Sequence, residues 1–194
     1  MPVLNKEELD KEQVLTLYAV NRAPKGVPTK THYQKMMYLI IKALGNDPRT
    51  TVGYRPHHFG PYSDTVEDWR DSLIENGWLV KNSYERITIP EDLKQQVDRI
   101  SFPDPVVAAK VDNIVRFICS LTHDEVLLYV YADDVAKGEG MTDNSDVKED
   151  IFNRRVPLAL SMVRKGKVSV AKGAELADMD VGSFMKLLGR GKYV

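Results

Sequence analysis

Three side chains near the C-terminus, Ser183, Lys186 and Arg190, recur at i, i+3 and i+7, which sets them on one face if the segment is helical. Lysine and arginine donate to phosphate oxygens or to guanine, and a serine hydroxyl serves either, so this face has the chemistry of a duplex-DNA contact. Lys172, on the segment before, adds a further donor. A set of opposite sign, Asp64, Asp68, Asp71 and Glu75, also follows helical spacing. Carboxylates repel phosphates, so this acidic face suits a protein partner, or another copy of the chain, better than DNA. For both sets the plain alternative is a solvated surface without a partner. Lys81 and Arg86 flank a polar turn and complete the candidate DNA contacts.

Catalytic chemistry has less to draw on. His57 and His58 are adjacent, so on an extended segment they point to opposite sides, and turn packing is their expected role. A hydrolase built on them would need a metal, and no His-x-x-x-His pair completes a site. His32 and His123 fall near helix starts and are expected to face solvent. Cys119, the single cysteine, adjoins an apolar seam without a basic neighbour in sequence, which predicts a buried small hydrophobe rather than an activated thiolate. Gly138-Glu139-Gly140 follows no strand and is not a phosphate loop. The chain is therefore expected to be no enzyme, with no metal and no cofactor.

These residues must be positioned by a chain of 194 residues, of which 43% are hydrophobic and 28% charged. Those proportions are ordinary for a globular protein and argue against disorder or a membrane span. With one cysteine and no basic start before an apolar run, a reducing cytoplasmic home is the expectation. The formal net charge is -1, but it is unevenly spread. Residues 122–153 hold 9 acidic and 2 basic side chains, whereas 154–194 hold 9 basic and 3 acidic. A neutral total thus conceals an acidic block beside a basic tail, in which Arg154, Arg155, Arg164, Lys165 and Lys167 would add phosphate contacts. The same juxtaposition suggests autoinhibition, with residues 133–150 competing with DNA for the tail.

Local signals predict the elements. Asn5 with Glu8 would cap a helix over 5–22, and Gly45 would stop a second over 31–44, apolar almost all round through Met36-Met37-Tyr38-Leu39-Ile40-Ile41. A short strand is expected over 52–54. Ser63 or Asp64 would cap a third helix to Asn76, with Tyr62, Val66, Trp69 and Leu73 buried. Strands over 78–80 and 84–89 would form a hairpin with its tip at 81–83, followed by a closing helix over 90–100. Phe102-Pro103-Asp104-Pro105 reads as a boundary. Val107, Val111, Ile114, Ile118 and Leu121 form a helix-packing seam, and Thr122 with Glu125 a capping box. An Asp/Asn/Ser-rich loop then leads to three short helices, 157–164, one capped by Ser169, and one from Val181 with Phe184 and Leu188 on its inner face. The expected fold is mainly α with a small β-hairpin wing: a winged helix over 1–100, a helical pair and acidic loop over 104–150, and a helix-turn-helix over 151–194.

Two stretches carry resemblances. Gln34-Lys35-Met36-Met37-Tyr38 with Phe59-Gly60-Pro61-Tyr62-Ser63 resembles prokaryotic winged-helix modules that include the Panacea-type antitoxin domain, in which a Gln-Lys helix precedes a Gly-Pro turn. That likeness spans roughly 10–90. Gly166-Lys167-Val168-Ser169 through Ala174-Glu175-Leu176-Ala177, with Phe184 before Leu187-Leu188, is similar to a family of small helix-turn-helix proteins associated with PIN-domain nucleases. Here Gly173 stands where that family often has Ala, and Asp178 where a Gly makes the turn; Asp tolerates the left-handed conformation. Together the resemblances imply a DNA-binding transcriptional regulator, antitoxin-like, acting as a homodimer on duplex DNA and paired with a protein toxin. The alternative is an adaptor that grips a partner such as a nuclease toxin through the acidic winged-helix face, without DNA.

Overall fold

The computed structural model describes residues 9–102 and 104–190, and the Asn5–Glu8 cap lies outside them. The described chain is mainly helical with one two-stranded antiparallel sheet. No helix among the described residues is long and apolar enough to cross a membrane. Two compact units form, one from residues through 55 together with 62–119, the other from 56–61 with 120–194. These divisions are drawn elsewhere than the expected 1–100, 104–150 and 151–194. The boundary expected at 102–105 falls inside the first unit, where the Phe102 ring meets Tyr18 edge-on at 4.8 Å and the Tyr18 hydroxyl donates to Asp112 at 2.8 Å.

In the first unit, α1 (Lys11–Arg22) starts later than the Asn5 signal implied, because Leu9 lies in a bend and Asp10 forms a capping box with Gln13. Helix α2 (Lys30–Ala43), capped by Thr29, is buried from His32 to Ile41 apart from Leu39, as its apolar run requires. His32 is therefore inside, 2% exposed with Nδ1 2.8 Å from the Thr29 hydroxyl, and not on the solvent side as its place in the first turn suggested. The expected strand over 52–54 is instead the end of a short helix, α3 (Pro48–Val52). Asp47 caps it, Pro48 supplies a pre-set φ at its first position, and Gly53 ends it left-handed.

Helix α4 (Asp64–Glu75) is capped by Ser63 and followed by Gly77 at positive φ. Val66 and Leu73 are fully buried, while Tyr62 and Trp69 are half-buried. Strands β1 (Val80–Lys81) and β2 (Ile87–Thr88) pair with Val80 opposite Thr88. The tip is Asn82 to Arg86, longer than expected, because the Asn82 side-chain oxygen accepts from the amides of both Tyr84 and Arg86 and Glu85 adopts positive φ. On its other side Ile87 exchanges two backbone hydrogen bonds with Val27, at 2.9 and 3.0 Å. Gly26 permits that approach: a Cβ there would lie 2.7 Å from the Ile87 carbonyl oxygen. The closing helix shrinks to a 3-10 turn, Glu91–Leu93, running into α5 (Lys94–Val97), and α6 (Pro105–Ser120) buries Val111, Val115 and Ile118.

In the second unit, Thr122 and Glu125 make the expected capping box for α7 (His123–Lys137), which Gly138 ends left-handed. Met141 and Thr142 in the following loop are buried, and the Met141 amide donates to Asp134 at 2.7 Å. A helix unforeseen from the sequence follows, α8 (Asp146–Asn153), capped by Ser145 and anchored by Ile151. Helices α9 (Arg155–Arg164), α10 (Val170–Ala177) and α11 (Val181–Arg190) complete the unit around Ala159, Met162, Ala174, Leu176 and Phe184.

Candidate nucleic-acid interface

The turn between α10 and α11 is set by local chemistry. Asp178 takes the left-handed conformation at φ 56, accepting the role a glycine would fill, and Asp180 caps α11 by receiving the Ser183 amide at 2.9 Å. Gly173 answers its own departure from the resembled pattern: a Cβ there would stand 2.3 Å from Val163 Cγ2 and 3.0 Å from the Phe184 ring. A fully buried Phe184 therefore occupies the space that an alanine would claim. Phe184 faces inward as expected, but Val181 does not and is 45% exposed.

The outer side of α11 carries Gly182, Met185 and Lys186, with Ser183 half-buried beside them. Lys186 is exposed and makes no ion pair with the described residues. The side chain of Arg190 lies outside the described part. Lys172 does not join this face freely: its ammonium pairs with Glu175 at 2.6 Å and lies 5.3 Å from the Tyr129 ring centre.

Much of the basic tail is already engaged within the unit. Arg154 binds Asp124 at 2.8 Å and also Asp150, and its charge holds the Asp124 carboxyl below the ordinary range. Arg155 donates to the Leu176 carbonyl and pairs with Asp178 at 3.2 Å. Lys165 reaches Glu125 at 3.0 Å, whose other partners are the Thr122 amide and the Ser161 hydroxyl. Burial alone would lift the Glu125 carboxyl, but those partners keep it low. Arg164, the last residue of α9, and Lys167, on the segment joining α9 to α10, have no partner among the described residues. The acids that engage the tail are Asp124 and Glu125 in the first turn of α7, Asp150 in α8, and Glu175 and Asp178 of the tail itself; Asp150 belongs to the 133–150 block expected to compete with DNA. Met141 and Thr142, in the loop before α8, are core, so deleting that loop would damage the unit rather than merely release the tail.

The acidic helix α4 is likewise neutralised, by its own Arg70 and by Arg55 and Lys30 from earlier in the chain. Asp64 pairs with Arg55 at 2.7 Å, Asp71 with Arg70 at 2.7 Å, and Glu67 with Lys30 and Arg70. Lys30 and Arg55 both lie 5.5 Å from the Tyr62 ring centre, and the Tyr62 hydroxyl donates to Glu67. Burial would raise the Glu67 carboxyl, yet the bonds from Lys30 and Tyr62 and the Arg70 charge lower it. Three cations thus meet three carboxylates, leaving Asp68 and Glu75 as the acids of α4 without a partner among the described residues.

Gln34 explains the Gly-Pro turn before α4. Its Nε2 donates to the Ser63 carbonyl at 2.9 Å and its Oε1 accepts from the Ser63 amide at 3.1 Å, while the Tyr54 hydroxyl donates to the Gln34 carbonyl at 2.8 Å. The next residue, Lys35, is 1% exposed, and burial lowers its ammonium to about 7. On the hairpin, Lys81 pairs with Glu85 at 3.5 Å and Arg86, half-buried, donates to the Gly26 carbonyl at 3.4 Å. The histidines pack as rings: His57 lies 5.9 Å from Phe59, and Phe59 6.0 Å from His123. No metal-binding cluster occurs among the described residues. Burial pushes the Cys119 thiol up to about 12, only partly offset by Arg86. In comparison with known proteins, the chain matches no family model, no curated protein and no solved structure.

Proposed function

We propose that the chain is a DNA-binding regulator whose contact is made by α11 and by the end of α9 with the segment that follows it. The observation that carries this reading is the distribution of uncommitted charge: in the second unit Lys186, Arg164 and Lys167 have no ion pair among the described residues while Arg154, Arg155 and Lys165 are consumed by acids. Helix α11 then acts as the second helix of a helix-turn-helix, Lys186 and Ser183 meeting the duplex and Arg164 and Lys167 its phosphates. The Val27–β2–β1 ladder supports a winged-helix reading of the first unit, in which α4 stays away from DNA because Asp68 and Glu75 face solvent. Antitoxin-like control of a protein toxin, and binding as a homodimer to paired half-sites, extend this reading from the two resemblances.

The test is fluorescence polarisation of genomic DNA fragments at low salt. Affinity is expected to fall with salt at a slope of roughly -2 to -3, as for two or three neutralised phosphates, and Lys186→Glu to weaken binding by about tenfold or more. Failure of every genomic fragment to bind at low salt removes the proposal. The adaptor reading draws support from the exposed Val181 and Met185, which give α11 an apolar strip. A partner that stays bound after nuclease treatment favours it.

A further inference from the structure

A cavity of about 750 Å³ opens in the first unit between the Ala23–Gly26 turn and the hairpin tip. Its size falls in the range of small-molecule sites. Val20 and Ile89, 2% and 6% exposed, contribute apolar surface to its wall. Lys25, Arg86 and Lys94 bring three cations to the lining, against the single carboxylate of Glu91, which Lys94 meets at 2.6 Å. Lys25 is exposed and has no partner among the described residues. Tyr84, 80% exposed, holds an aromatic ring at the rim with no packing role to account for it.

Each ingredient narrows the ligand. An excess of cations lining a concavity selects an anion, and guanidinium with ammonium is the usual pairing for phosphate. Apolar wall and an available ring select a body with a flat face. A duplex backbone would meet cations strung along a convex surface, whereas these line one hollow. We propose that this groove binds a nucleoside phosphate, its phosphates against Lys25, Arg86 and Lys94 and its base on Tyr84. The ligand is either a free nucleotide or the phosphorylated end of a single strand, which share that chemistry. The site is independent of the α11 reading, since it uses none of the same residues.

Isothermal titration of the full chain tests it with three probes: ATP, a 5′-phosphorylated single-stranded oligonucleotide, and inorganic triphosphate. Saturable binding of ATP or the oligonucleotide is expected, reduced at least about tenfold by Lys25→Glu and by Tyr84→Ala and unchanged by Lys186→Glu. Whichever of the two probes binds identifies the source of the ligand. Both variants alter exposed side chains, so circular dichroism should match the wild type, whereas Arg86→Glu would also disturb the contact with Gly26. The proposal is overturned if neither nucleotide probe binds, if the two variants bind as well as the wild type, or if inorganic triphosphate binds as tightly as ATP.

Discussion

Helices α4 and α11 invite comparison, because each presents one face to its unit's core and one to solvent, and their sequences point to opposite partners. Helix α4 reads as strongly acidic, yet Arg55, Lys30 and Arg70 neutralise Asp64, Glu67 and Asp71. Helix α11 carries few charges, yet its Lys186 is unopposed. The difference teaches that the charge offered to a partner is what remains after the fold has paired its own. Paired charges at α4 are part of the architecture, with Arg70 buried over the Tyr33 ring, whereas Lys186 of α11 is open to a ligand.

The largest effect expected from breaking this contrast is at the inner face of α11. Phe184→Ala should cost about 3–5 kcal/mol in urea unfolding, since a fully buried ring is lost from the α9–α10–α11 packing. Met185→Ala, one residue away and 57% exposed, should stay within about 0.5 kcal/mol. Comparable losses would mean that the outer face of α11 is packed rather than available.

Next comes the ionic core of α4. Arg70→Met strands Asp71 and leaves Glu67 with Lys30 and Tyr62, and should destabilise by about 2–3 kcal/mol, less than a fully buried pair because Asp71 is 47% exposed. Arg154→Ala, whose pairs are solvent-facing, should shift the urea midpoint far less in the same measurement. Equal costs would erase the distinction between built-in and surface pairs.

The units should also differ in their response to pH. Glu67, Asp124 and Glu125 have lowered pKa values in the folded state, so their contribution is complete above about pH 4.3 and is lost as pH falls through the lower, folded values. Lys35 has the same sign in a higher window, because its buried ammonium is a cost that deprotonation relieves. With its ammonium lowered to about 7, the folded state binds fewer protons than the unfolded chain between pH 7 and 10.5, so stability from this residue rises with pH across that window. Urea midpoints at pH 7 and pH 9 should show a gain in the wild type that Lys35→Met lacks; an identical gain in the variant would count against the buried amine as its origin.

The smallest effect is expected on the outer side of α4. Asp68→Lys should change stability by less than about 0.5 kcal/mol and leave DNA affinity unaltered, read by thermal unfolding and polarisation. A marked rise in affinity would bring α4 into the DNA contact.

Much of the helical scaffold was legible because its signals act over three or four residues. Ser63, Thr122 and Ser169 cap the helices their spacing announced, and Gly77 and Asp178 end them. Helix α8 carried the same signals, a Ser145 cap with Val147 and Ile151 one turn apart, but a run of Asp, Asn and Ser resembles a loop when read by composition. The strand expected over 52–54 failed because Asp47-Pro48 starts a helix more strongly than a few β-branched residues extend a strand. Of the candidate contacts, Lys186 stands exposed as its spacing implied, while Lys172 and Lys81 are paired and Arg86 is tied to Gly26.

The sequence by itself determined the caps of α4, α7 and α10, the Asp178 turn and the inward Phe184, since these depend on neighbours within one or two turns. Only the tertiary structure decided which charges are spent. Lys30 meets Glu67, Lys165 meets Glu125 and Arg154 meets Asp124 across separations that no local spacing encodes. The same holds for the Val27 ladder and the cavity beneath the hairpin, because each is made by the approach of segments about sixty residues apart. Coulomb energy depends on distance in space, and only folding sets that distance.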